Sequence, residues 1–189
     1  MNKRKILLIS VSLIILFVSV VVIKEKLLLK MFHPRFYKEY VETYSQEFEI
    51  DENLVYSIIK VESKFNKNAI SRRAAKGLMQ ISDITRKWAE EELELVSVDI
   101  FDPETNIKIG CWYLNKLFKE FDSVDLVIAA YNGGSGNVSK WLKNENYSKD
   151  GNRLNNIPFD ETKNYLEKVK ENYSVYKVLY REEETDEKN

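Results

Sequence analysis

Between Ile6 and Ile23 the chain runs through eighteen positions without a charge, interrupted only by Ser10, Ser12 and Ser19. As a helix this run would extend roughly 27 Å, close to the thickness of a bilayer core. It ends Val21-Val22-Ile23-Lys24 with no small-residue cleavage site, and no cysteine follows it. These features favour an uncleaved transmembrane anchor over its main rival, a removed signal peptide, and exclude a lipoprotein anchor. Lys3-Arg4-Lys5 before the run predicts a cytoplasmic N-terminus, although Lys24 and Lys26 beyond it weigh the other way.

Downstream the pattern becomes helical. Residues 24–35 read as a tether. Phe36, Tyr40, Val41 and Tyr44 mark one helix, and Leu54 to Phe65 a second. Asp102-Pro103 opens a long third helix through Phe121, with Ile107, Gly110, Cys111, Leu114, Leu117 and Phe118 at helical spacing. Asp125–Tyr131 is a short apolar helix ended by Asn132-Gly133-Gly134. Thr162–Tyr180 closes the series, and the charged tail is 181–189. The only strand signal is a short hairpin near residues 70–82. The expected order is therefore a basic N-terminus (1–5), an anchor (6–23), a tether (24–35), one mainly α domain (36–180) and the tail.

Composition agrees with a helical globular domain: 44% hydrophobic, 12% aromatic and 31% charged residues, with three prolines and six glycines. The net charge of −1 hides an asymmetry. Residues 1–35 hold seven basic residues against Glu25, a net of +6, which leaves −7 on residues 36–189. A domain of that sign is a poor partner for nucleic acid. Cys111 is the only cysteine and His33 the only histidine, so an internal disulfide, a Ser-His-Asp triad and an HExxH zinc helix are all excluded. A Cys111–His33 dyad is formally open, but Cys111 falls in a helical run and His33 in the tether.

One carboxylate stands out. On a helical wheel over 53–65 with Ile58 at zero, Leu54, Val55, Val61 and Phe65 lie within about 60° and form the core stripe. Glu62 falls at about 40°, inside that stripe, while Ser57, Lys60, Ser63 and Lys64 lie off it. A carboxylate among apolar side chains has its pKa pushed toward neutrality, which suits a general acid. A glutamate at the stripe edge that reaches solvent fits the wheel equally well.

The neighbouring motifs separate the two readings. Val61-Glu62-Ser63 is followed by Phe65-Asn66, Ser71, Gly77-Leu78-Met79-Gln80, Ala130-Tyr131-Asn132-Gly133-Gly134 and Ile157-Pro158-Phe159-Asp160-Glu161-Thr162-Lys163-Asn164-Tyr165. In that order and spacing, with Phe101-Asp102-Pro103 and Asn106-Ile107…Gly110 between, the chain resembles the lytic transglycosylases with a lysozyme-like catalytic domain, relatives of goose-type lysozyme. The resemblance spans about residues 40–180. It implies a two-lobed glycan cleft, a peptidoglycan substrate, no metal and no cofactor. It also implies Glu62 as the single acid/base, with Ser63, Ser71 and Gln80 contacting N-acetyl and hydroxyl groups. Tyr131 would hydrogen-bond near Glu62 and orient it, Asn132 would hold the loop or touch substrate, and Glu161 and Tyr165 would close the cleft.

The chain departs from the family pattern at four places. Ser82 stands where a methionine would line a sugar subsite, Asp83 where a proline is usual, and Arg72 and Ala74 where a Pro and a Gly form a turn. Asp83 is thus a second carboxylate that a water-using muramidase could employ. A non-catalytic glycan-binding module on a membrane stalk is the remaining alternative. Ser57-Ile58-Ile59-Lys60 matches the S-x-x-K of penicillin-binding enzymes, but no KTG accompanies it. Gly133-Gly134-Ser135-Gly136 lacks the Lys-Ser/Thr of a phosphate loop.

Overall fold

The computed structural model describes residues 3–186, with the backbone alone at residues 3, 5–10 and 182–186. The chain divides into two compact units, one running up to Pro34 and resuming at Val178, the other spanning Arg35–Lys177.

In the first unit, α1 (Lys3–Phe32) is a single 30-residue helix that continues through most of the stretch read as a tether. Its large apolar side chains between Val11 and Ile23 are exposed. Among the described residues no helix is long and apolar enough to cross a membrane. The side chains of residues 6–10, the first part of the expected anchor, lie outside those described. The unit is fastened locally, where Tyr180 donates from its hydroxyl to the His33 carbonyl at 2.7 Å and Lys30 lies over the Tyr180 ring.

The second unit is helical, comprising α2 (Lys38–Glu47), α3 (Glu52–Ser63), α4 (Asp83–Glu92), α5 (Pro103–Glu120), α6 (Val124–Gly133), α7 (Ser135–Leu142) and the part of α8 (Asp160–Asp186) up to Lys177. α3 begins where the Asp51 side chain accepts from the Asn53 amide, relieving one of the unpaired N–H groups of the first turn. From Asn53 to Ile59 every residue of α3 is buried, so this stretch of the helix is central and has no solvent face. That overturns the wheel position of Ser57, which is fully buried and donates to the Asn53 carbonyl. α3 stops two residues before the expected Phe65, because Lys64 and Phe65 both adopt the left-handed conformation.

α5 starts as its sequence predicts, with Asp102 accepting from the Thr105 amide and Pro103 at the first helical position. α2 packs on α3 and α5, and α5 in turn packs on α4 and α6. The expected hairpin is reduced to two isolated bridges, Ile70 with Lys76 and Lys76 with Ile81, and no sheet occurs among the described residues. Cys111 is fully buried and burial pushes its thiol pKa far up, so it is a packing residue with no nucleophilic character.

Candidate active site

The end of α3 carries the site. After the buried stretch Asn53–Ile59 the helix emerges, and Lys60 to Ser63 are half-buried. Glu62 therefore stands where the central helix leaves the core. Burial lifts its carboxyl from the usual range up to about 7. An interaction with the Tyr165 hydroxyl pulls the value down, and the nearby charge of Glu161 pushes it up. The Tyr165 hydroxyl is itself buried and completes no hydrogen bond of good geometry, so the two groups interact without a fully formed bond. The pKa of Tyr131 is raised first by burial and then by the Glu62 charge, which puts its ring in the same neighbourhood. Thus α3, α6 and α8 each bring one expected residue to a common point.

The Gly77–Gln80 loop forms one wall, and α5 holds it. Gly77 has φ +80°, and a Cβ there would sit 2.1 Å from Asn106 Nδ2, so this position requires glycine on both counts. The buried Asn106 side chain accepts from the Met79 amide at 2.8 Å and donates to the Lys76 and Ile100 carbonyls at 3.0 and 2.8 Å. Met79 is fully buried and its sulfur fills the space that a side chain at Gly110 would take. The Asn106…Gly110 pattern of α5 is thus a socket for the loop, a role that the sequence reading did not assign.

Several expected substrate-contacting groups spend donors or acceptors on the protein. Gln80, itself left-handed at φ 51°, donates through Nε2 to the Ala69 and Gly77 carbonyls, which leaves Oε1 as its acceptor. Ser71 Oγ accepts from the Arg73 and Ala75 amides and shapes its own turn. Ser63 Oγ donates back to the Ile59 carbonyl one turn earlier. The Tyr131 hydroxyl donates to the Met79 carbonyl at 2.8 Å rather than to Glu62. Asn132 Oδ1 accepts from the buried Thr162 hydroxyl at 2.8 Å, tying the end of α6 to the start of α8.

At the mouth, Arg73 donates to Glu161 at 2.9 Å, a contact no sequence motif announced. The pair borders an open cavity of about 270 Å³ lined by Asn132, Asn137, Phe159 and Thr162. Asp83, the extra carboxylate, is paired with Lys76 at 3.0 Å and lies 3.7 Å from Arg86. The Lys76 hydrogen bond and charge, with Arg86 and Lys87 behind them, hold its pKa below the usual carboxylate range. Ser82 caps α4, accepting from the Thr85 amide at 3.1 Å.

A mainly helical, lysozyme-like domain with one neutral-poised glutamate between two tyrosines is the class that fold and site define. The family model of the transglycosylase SLT domain matches residues 39–154, and the chain belongs to that family. It is 32% identical over 160 residues to a putative soluble lytic murein transglycosylase of Haemophilus influenzae, covering 79% of this chain and 26% of that protein. It is 36% identical over 115 residues to membrane-bound lytic murein transglycosylase C of Shigella sonnei, covering 53% of this chain and 32% of that one. Among solved structures, the 70 kDa soluble lytic transglycosylase of Escherichia coli superposes with a TM-score of 0.70 at 29% identity, over 79% of this chain and 25% of that one. The chain thus spans about a quarter of the length of its soluble relatives.

Proposed function

We propose that the domain cleaves the β-1,4 bond between N-acetylmuramic acid and N-acetylglucosamine in peptidoglycan, without water, forming a 1,6-anhydro end. The observation that carries this reading is the Glu62 carboxyl, whose pKa of about 7 leaves it a competent proton donor at neutral pH. Glu62 gives its proton to the glycosidic oxygen as the C1–O bond breaks, and the substrate's own 2-acetamido group stabilises the cation at C1. Glu62, now a carboxylate, takes the proton of the muramic 6-hydroxyl, and that oxygen bonds to C1. The proton count closes on Glu62, and no second carboxylate is needed. Tyr165 and Tyr131 bound the carboxyl, Gln80 Oε1, Ser63 and Ser71 serve N-acetyl and hydroxyl groups, and Asn132 and Glu161 border the cleft. The test is mass spectrometry of muropeptides released from purified cell walls. Products lighter by one water than hydrolytic ones, and inert to borohydride, support the reading. Reducible muramic ends would reassign the domain as a muramidase, and no release at all would leave a glycan-binding module.

We also infer that α1 is an uncleaved membrane anchor holding the domain outside the cytoplasm. The exposed apolar stretch Val11–Ile23 would span roughly 20 Å as a helix, about two-thirds of a bilayer core, and residues 6–10 would supply the remainder. Carbonate-resistant sedimentation with membranes supports the anchor. Protection of the domain from protease added to wall-stripped cells would overturn the orientation.

A further inference from the structure

The loop between Ser71 and Lys76 brings Arg73 to the cavity of a domain whose net charge is negative, while its Lys76 is already paired with Asp83. Arg72, Arg73 and Lys76 lie within five residues, in a stretch (36–189) whose net charge is −7. Arg73 reaches across the cleft mouth to Glu161. That pair is a weak lock, because its side chains are 80% and 62% exposed. Glu161 also has a second source of stabilisation, since it lies in the first turn of α8, where the helix dipole favours a negative charge. Glu161 can therefore release Arg73 at small cost. The guanidinium carries five N–H donors in a planar fork suited to a carboxylate, and it borders the cavity between Asn132, Asn137, Phe159 and Thr162.

We propose that Arg73 is a specificity-determining residue that exchanges Glu161 for a carboxylate of the bound glycan, so that the cleft prefers carboxylate-bearing strands over neutral N-acetylglucosamine polymers. The inference rests on the glycan-cleaving reading above and adds the class of group that the mouth selects. Two parts of the substrate offer that chemistry: the lactyl carboxylate of a peptide-free muramic residue, and the carboxylates of a peptide stem.

Binding to the full-length chain in detergent, carrying Glu62→Gln to stop turnover, separates these cases. Three probes are titrated calorimetrically: chitotetraose, a peptide-free GlcNAc–MurNAc tetrasaccharide, and the same tetrasaccharide with peptide stems. Arg73→Ala is expected to weaken at least one carboxylate-bearing probe on the order of tenfold, the scale of one charge-assisted hydrogen bond. Chitotetraose should be unaffected. Arg73→Lys should recover part of the loss, and raised salt should erase the difference between probes. Loss confined to the peptide-free probe assigns the lactyl group, and loss confined to the stem-bearing probe assigns the stem. Equal weakening of all three probes would make Arg73 a merely structural residue and overturn the proposal, as would no change in any. Failure of the Arg73-containing protein to bind any probe would instead remove the glycan-cleaving reading, and this inference with it.

Discussion

The hydroxyl of Tyr131 donates to the carbonyl of Met79 at 2.8 Å, joining the end of α6 to the loop that forms one wall of the site. The hydroxyl proton of Tyr131 is therefore committed to the backbone of that loop, and the tyrosine lies close enough to Glu62 to feel its charge. Tyr131→Phe keeps the ring and deprives a buried carbonyl of its donor. The expected cost is about 1–3 kcal/mol of stability, read by urea unfolding. Turnover should fall roughly tenfold, the equivalent of 1.4 kcal/mol in the reacting complex. A Phe variant with unchanged stability would mean that the Met79 carbonyl finds another partner.

Glu62 should leave its mark on stability as well as on rate. Its folded pKa, about 7, lies above the ordinary 4.5, so between those values the folded state holds more protons than the unfolded one. Its contribution is then fully favourable below about pH 4.5 and is lost as pH rises through about 7. Glu62→Gln cannot ionise, so it should be more stable than the parent at pH 8, by on the order of 1–3 kcal/mol, and indistinguishable from it at pH 4.5. The same substitution should reduce cleavage by about 10²–10⁴-fold or more. Thermal melts at the two pH values and a muropeptide assay test both halves. A variant that melts with the parent at pH 8 would show that the carboxyl is not desolvated.

Product chemistry depends on whether any other carboxylate can activate water. Asp83 is held charged by Lys76 and Arg86, and a carboxylate with a depressed pKa is a weak base. The muramic 6-hydroxyl also has a large effective-concentration advantage over free water. Asp83→Ala should therefore leave the ratio of anhydro to reducible ends unchanged in mass spectra. A shift toward anhydro ends on removing Asp83 would identify it as the base of a competing hydrolysis.

What the sequence disclosed follows from how each element is stabilised. α5 and α8 are legible because apolar residues recur at helical spacing, and Glu62 stands out because an acid interrupts a stripe and family-like motifs follow it. α4 has no apolar stripe to announce it, since only Ala89 of its ten residues is buried and Ser82 caps its start. The end of α3 differs from its expected place because two consecutive left-handed residues, neither of them glycine, have no compositional signature. Motifs single out Ser63, Ser71, Gln80 and Tyr131, but residue type does not reveal where a hydroxyl or amide sends its hydrogens. No motif points to Arg73, and the Asn106-Ile107…Gly110 pattern does not disclose what Asn106 holds, since their partners lie 88 and 27 residues away.

Asn106 gives the sharpest test of how the wall is held. Its Oδ1 serves the Met79 amide, and its Nδ2 serves the carbonyls of Lys76 and Ile100. Asn106→Ala leaves a buried amide and two carbonyls without these partners, beside the backbone of a glycine whose φ is already +80°. The Ile81 amide still serves the Lys76 carbonyl, so the Met79 amide and the Ile100 carbonyl are the groups left unsatisfied. At about 1–3 kcal/mol each, a total of roughly 2–5 kcal/mol is expected after relaxation. Asn106→Asp is the more discriminating variant. Its carboxylate can still accept from Met79, but its second oxygen faces two carbonyls and repels them. As pH falls, protonation of that oxygen restores one donor. Because the buried carboxyl's pKa is raised in the folded state, the Asp variant should gain stability relative to Asn106→Ala as pH falls toward 5 and lose it as pH rises. Urea unfolding of the two variants at pH 5 and pH 8 measures this. Parallel behaviour at both pH values would show that the loop detaches from α5 once the amide is gone.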